Sequence, residues 1–167
     1  TSEIGPTRVL DISNPNMPLE IGNLFVSGDS KKVIKGNYLY ILDGSNGLRI
    51  FDASGVGVPI EVGSVPIPAN DIAVIGSYAY LASVSDGLHV IDITDPTSPT
   101  EVNSFPYDVG IVAGDERYLY AIKGSDRSQY VAYDISIPTV PKQVGTYSGF
   151  GLTMDLAGIS DRMFVTD

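Results

Sequence analysis

The chain contains no cysteine. That removes disulfides, thiolate chemistry and Cys-ligated zinc, and it leaves the redox compartment open, because only a cysteine-rich chain argues for an oxidising one. Basic residues are scarce: 10 Lys and Arg stand against 20 Asp and Glu, for a formal net charge of −10. A phosphate backbone would be repelled with no basic patch to offset the repulsion, so no nucleic-acid partner is expected. No apolar run approaches the roughly 20 residues of a membrane helix, so no membrane insertion is expected. The Thr1 start shows neither a basic n-region nor an apolar h-region, as in a mature form or a cut-out piece. A phosphate-cradling GxxxxGK[ST], a dinucleotide fingerprint after a strand and an HExxH are all missing.

Glycine (18), proline (11) and tyrosine (10) are plentiful, while Glu, Lys and Gln are spread thinly among Val, Ile, Ser and Thr. That balance favours short strands and tight turns. With 167 residues, 43% of them hydrophobic, the chain supports one domain with a sizeable core.

A repeat organises it. TRVLDIS (7–13), LRIFDAS (48–54), LHVIDIT (88–94) and YVAYDIS (130–136) align Asp11, Asp52, Asp92 and Asp134 at spacings of 41, 40 and 42. Seven residues after each aspartate stands a proline (Pro18, Pro59, Pro99, Pro141), then a short β-prone stretch, so a fixed turn joins two strands in every copy. Upstream lie Tyr38, Tyr78 and Tyr118, each with a second tyrosine two residues on at Tyr40, Tyr80 and Tyr120. Gly36, Gly76, Gly114 and Gly158 close the preceding strand, and Gly47 and Gly87 mark hairpins just before Leu48 and Leu88.

Each unit therefore reads as four short strands. YLYIL and HVIDI are apolar on both parities, so both of their faces must be covered. Radially stacked four-stranded blades do that, whereas an immunoglobulin-like sandwich would leave one face wet and show no period near 41. The expectation is an all-β β-propeller of about four blades. Its units are a half blade at 1–26, blades at about 27–66, 67–106 and 107–148, and a half blade at 149–167. The two halves make one blade, either shared to close a four-bladed ring or belonging to a larger propeller, and an incomplete ring would self-associate.

The pattern G-x-Y-x-Y, then G-L-x-[VI]-[FI]-D-[IA]-[ST] and a proline turn, closely resembles the LVIVD repeat, most specifically over 72–99. The copy around Asp52 departs with SGVGVP at its turn and the copy around Asp134 with KGSDRSQY at its hairpin. The resemblance implies a propeller, and a secreted or cell-surface setting, without implying a substrate, cofactor or catalytic residue.

The recurrent Asp11, Asp52, Asp92 and Asp134 precede turns, where a carboxylate accepts backbone N–H groups, so their reading is structural. Tyr40, Tyr80 and Tyr120 recur in the most apolar strand and read as packing between blades. Loops on one face carry Asp29, Asp71, Asp108 and Asp155 as candidate ligand-binding residues, and hairpins on that face carry Asp43, Asp86 and Asp126, so the face should be acidic. Asp29, Asp43 and Asn46 are the candidate calcium set, though without the dense spacing of an EF-hand loop. No other cofactor is expected. His89, the lone histidine, shares its repeat position with Arg8 and Arg49, and nothing nominates a nucleophile beside it. The leading functional expectation is a non-catalytic scaffold contacting protein or glycan. The alternatives are a hydrolase or lyase at the channel mouth and a calcium-stabilised surface module.

Overall fold

The computed structural model describes residues 7–26, 31–123, 129–148, 155–159 and 162–166, the last two segments as backbone strands only. The first hairpin is β1 (Thr7–Asp11) and β2 (Leu19–Leu24). Then come β3 (Lys32–Lys35), β4 (Tyr38–Leu42), β5 (Leu48–Asp52) and β6 (Ile60–Val65), followed by β7 (Asp71–Ile75), β8 (Tyr78–Ser83), β9 (Gly87–Asp92) and β10 (Thr100–Phe105). A third group is β11 (Val109–Gly114), β12 (Tyr118–Lys123), β13 (Gln129–Asp134) and β14 (Lys142–Ser148), and the last hairpin is β15 (Asp155–Ile159) and β16 (Arg162–Thr166).

Each group of four is one antiparallel sheet in sequence order, and each hairpin is a separate two-stranded sheet. The sheets stack as propeller blades, with β7 against β3, β11 against β7 and β15 against β11. Among the described residues β1 pairs only with β2 and β16 only with β15. Of the two forms open to the sequence, the ring closed by a shared blade would pair β1 with β16, and no such pairing is present among the described residues.

Turn chemistry fixes each meander. Gly36 and Gly76 take φ of 56° and 54°, the left-handed region that glycine enters without a Cβ penalty. The β11–β12 turn is longer and uses a side chain instead: Asp115 Oδ1 accepts the N–H groups of Arg117 and Tyr118, both at 2.9 Å. Every third-to-fourth strand ladder also carries a register shift at the same place, between Val9/Leu10, Ile50/Phe51, Glu101/Asn103 and Ala132/Tyr133. A bulge there bends and twists the outer strand, as expected of an edge strand that must not template further pairing.

Burial follows the two-sided apolar pattern. Ile72, Ala79, Leu81 and Ile91 pack toward the β3–β6 sheet with Tyr40, Leu48 and Ile50, while Tyr80, Ala82, Leu88 and Val90 face the β11–β14 sheet with Leu119, Val131 and Tyr133. A fully buried Leu, Ile or Val contributes about 1.5–3 kcal/mol. Tyr40 and Tyr80 are buried, whereas Tyr120 is only half-buried. The reason is its neighbour: Tyr120 lies on the face turned away from β7–β10, where the next sheet has two strands instead of four. No helix among the described residues is long and apolar enough to cross a membrane.

Tyr80 donates its hydroxyl to the Pro138 carbonyl of the next sheet at 3.1 Å, and burial pushes its phenol pKa up to about 12. Tyr80→Ala is expected to cost about 3–5 kcal/mol in urea unfolding. Tyr120→Ala should cost less than about half of that, because its site is already partly open. Equal losses at the two positions would contradict the stacking described.

Candidate functional site

The four repeat aspartates end β1, β5, β9 and β13, each at the start of the turn into the following outer strand. Asp11, Asp52, Asp92 and Asp134 each use Oδ1 to accept the backbone N–H two residues on, at Ser13, Ser54, Thr94 and Ser136, all at 2.8 Å. Hydrogen bonds from those same residues hold all four carboxyls below the usual aspartate range, led by the backbone N–H at Asp11, Asp52 and Asp134 and by the Thr94 side chain at Asp92. They stabilise one turn four times and do not converge on a point.

A second set of charges links the third strand to the fourth. Arg49 binds Glu61 through two nitrogens, Nε to Oε1 at 3.2 Å and the terminal guanidinium nitrogen to Oε2 at 2.7 Å. Its other terminal nitrogen donates to Asp43 at 2.7 Å and to the Phe25 carbonyl of the preceding sheet at 2.9 Å. The Glu61 bond leads in raising the Arg49 pKa, so the guanidinium stays charged. In the other copies Arg8 stands 3.8 Å from Glu20, and His89 Nδ1 is 2.8 Å from Glu101 Oε1. The fourth copy has Val131 and Gln143 at these two places. Sequence reading noted the cationic position but missed its partner; the signal was the acid recurring 12 residues downstream, which becomes an amide where the cation is lost.

This pairing decides what the hairpin aspartates can do. Asp43 is buried, and its Oδ2 already receives both Arg49 and the Asn46 amide nitrogen, the latter at 3.1 Å. The structure thus brings Asp43 and Asn46 together with a guanidinium where a cation would stand, while Asp29 lies outside the described residues. Asp86 is largely exposed and 3.4 Å from His89 Nε2; Asp126 also lies outside the described residues. Among the described residues no group of three or more His, Cys, Asp or Glu is gathered to hold a metal.

The inner strands β3, β7 and β11 border a cleft of about 300 Å³. Asp71 is buried there: Oδ2 accepts the Val112 N–H of the next sheet at 3.1 Å, and Oδ1 lies 3.6 Å from the Lys31 ammonium of the sheet before. Asp71 thus ties three sheets together. Asp108 is exposed in the connector before β11, and Asp155 opens β15 with its Cα opposite Thr166. Asp43 and Asp71 are withdrawn into ion pairs, so this face is less acidic than the sequence implies.

At the other end of the sheets, the turns from third to fourth strand expose apolar side chains: Val56 fully, Met17 at 74% and Ile137 at 64%. Asp11, Asp52, Asp92, Asp95 and Asp134 stand among them, with Asp95 Oδ1 taken by the Thr97 N–H at 2.9 Å. This end of the sheets therefore combines exposed apolar groups with turns that carboxylates lock.

The LVIVD repeat profile matches residues 8–25, 27–66 and 68–106, together more than half of the chain. Among curated proteins none matches. Solved structures that resemble the fold include apo AztD and the N-terminal domain of Nup159. Apo AztD from Citrobacter koseri aligns with a TM-score of 0.54 at 15% identity, over 89% of this chain and 43% of that one. The N-terminal domain of Nup159 aligns with a TM-score of 0.52 at 14% identity, over 80% of this chain and 37% of that one. The chain spans less than half the length of either, and at these identities the likeness carries the fold alone.

A double-mutant cycle checks the charge ladder. Arg49→Met and Glu61→Gln should show a coupling of about 1–2 kcal/mol in unfolding experiments, since the pair is two-pronged and partly buried. The exposed Arg8 and Glu20 pair should couple by less than about 0.5 kcal/mol. Equal couplings would show that geometry and burial do not separate the two.

Proposed function

The chain belongs to the LVIVD repeat family, and on that premise we propose that it serves as a non-catalytic binding or structural scaffold, secreted or displayed at the cell surface, that engages a protein or glycan partner. The observation that carries this reading is the division of labour between the two ends of the sheets. At one end the ionisable groups with chemical potential, Asp43, Asp71, Arg49 and His89, are held in contacts that bind strands and sheets to one another. At the other end Met17, Val56 and Ile137 stand exposed on turns that their own carboxylates lock. Apolar groups on rigid turns lose little conformational entropy when covered, which favours association.

The exposed set lies among carboxylates in a chain of net charge −10. A partner surface with apolar centres and basic surroundings complements it, and like-charged surfaces are repelled.

Photoreactive side chains placed at Val56 and at Val84, which lies at the opposite end of the sheets, would test this in the native host. Adducts of discrete size are expected from position 56 and not from position 84. The pair Val56→Lys with Ile137→Lys should abolish them while shifting Tm by less than about 3 °C, as for exposed positions. Adducts from position 84 alone, or turnover of a substrate by the purified chain, would overturn the scaffold reading.

A further inference from the structure

We propose that the cleft between the β7–β10 and β11–β14 sheets is a binding site for a neutral saccharide. The inference rests on the scaffold reading and gives its glycan arm a place and a chemistry.

At this boundary the repeat departs from its other copies in several positions at once. The outer-strand place held by Gly22, Gly63 and Gly145 holds Asn103; Leu24 and Val65 are replaced by Phe105, where the fourth copy has another aromatic, Tyr147, and Val26 and Ile67 are replaced by Tyr107. The glycine matters for packing. A Cβ on Gly63 would fall 2.2 Å from the Pro96 carbonyl oxygen, and one on Gly22 would fall 2.4 Å from Val58 Cγ2, so there the next sheet's turn rests directly on the glycine. Asn103 instead fills that place with a side chain, and its Nδ2 donates to the Thr139 carbonyl at 2.9 Å. A cleft of about 520 Å³ lies beside that turn, lined by Phe105 and Tyr107 on one side and by Asp134, Ser136, Lys142 and Gln143 on the other.

One wall of the cleft is aromatic. The Phe105 and Tyr107 rings stack at 5.3 Å and 13°, and Tyr107 stacks on Tyr133 at 5.4 Å and 20°. Phe105 ends this stack, is partly buried against the core, and lines the cleft together with Tyr107. The facing wall carries Asp134, Ser136, Lys142 and Gln143. Lys142 lies opposite Asp134 in the strand ladder, so the two charges offset each other. Bonds from Asn103 to Thr139 and from Tyr80 to Pro138 pin the turn, which makes the cleft preformed.

A pyranose ring has an apolar C–H face and an edge of hydroxyls that donate and accept. The C–H face stacks on the electron-rich face of an aromatic ring, and the hydroxyl edge pairs with carboxylate, hydroxyl and amide groups together. An aromatic wall with a few convergent polar groups in a cavity of this size matches a small-ligand site, and the cancelled charge selects a neutral sugar.

Calorimetric titration of the purified chain with cellotetraose, maltotetraose, mannotetraose and chitotetraose tests the assignment. At least one should bind with Kd of about 1 mM or tighter. Phe105→Leu and Asn103→Gly each install a residue type found at that place in another copy, so both variants should fold. Each should weaken binding at least about tenfold, whereas Tyr147→Ala should not. Unchanged affinity in both variants would overturn this site while leaving the scaffold reading intact. No binding by any of the four sugars would overturn the saccharide assignment, as would a proline-rich decapeptide that binds in their place and is lost in the same variants.

Discussion

Each central sheet is apolar on both faces, so β8 must bury Ala79 and Leu81 against the sheet before it and Tyr80 and Ala82 against the sheet after it. Neither face tolerates water, and a single four-stranded sheet cannot cover itself. Stacking on both sides is therefore the condition that the other features serve. The Asp-locked turns set the strand ends, the outer-strand bulges give the twist that stacked blades need, and glycines such as Gly63 let one sheet's turn rest on its neighbour's backbone. Polar groups reinforce the same contact. Arg49 reaches the Phe25 carbonyl, Tyr80 the Pro138 carbonyl and Asp71 the Val112 N–H, each across a boundary between sheets.

What the sequence carries plainly is what recurs. A period near 41 with Asp, Pro, Gly and Tyr in register is visible by self-comparison, and it specifies strand number, turn positions and the two-sided core before any coordinates. Less legible is whatever depends on which sheets meet. Asp71 reads as a loop carboxylate until its partner, 41 residues away, comes into contact with it. Tyr120 repeats Tyr40 and Tyr80 in sequence yet is only half-buried, because burial is set by the neighbouring sheet and not by its own strand. Asp43 and Asn46 read as oxygen donors for calcium, yet in the fold Arg49, six residues on, and the Asn46 amide both donate to the same Asp43 oxygen. The bulge in the outer strand has no sequence mark beyond the residue that follows it, glycine in three copies and Asn103 in the copy around Asp92.

The division of charged and apolar groups follows from the same constraint. A stacked scaffold uses its titratable side chains to tie sheets and turns together, and the exposed apolar groups of the turn rim and the cleft beside Phe105 and Tyr107 lie outside those ties. Fold alone does not fix function. Function in such a scaffold is expected at departures from the repeat, since the repeated positions are already committed to holding neighbouring sheets.

The central claim is that the sheets are stable only together. Native-state hydrogen exchange on the chain tests it directly, because amides of β8 and β9 lie in one sheet and those of β12 and β13 in the next. Mutual dependence predicts that these amides, with that of Val112, exchange with one common free energy equal to that of global unfolding. Separate free energies for each sheet, with β12 and β13 opening while β8 and β9 stay protected, would contradict it.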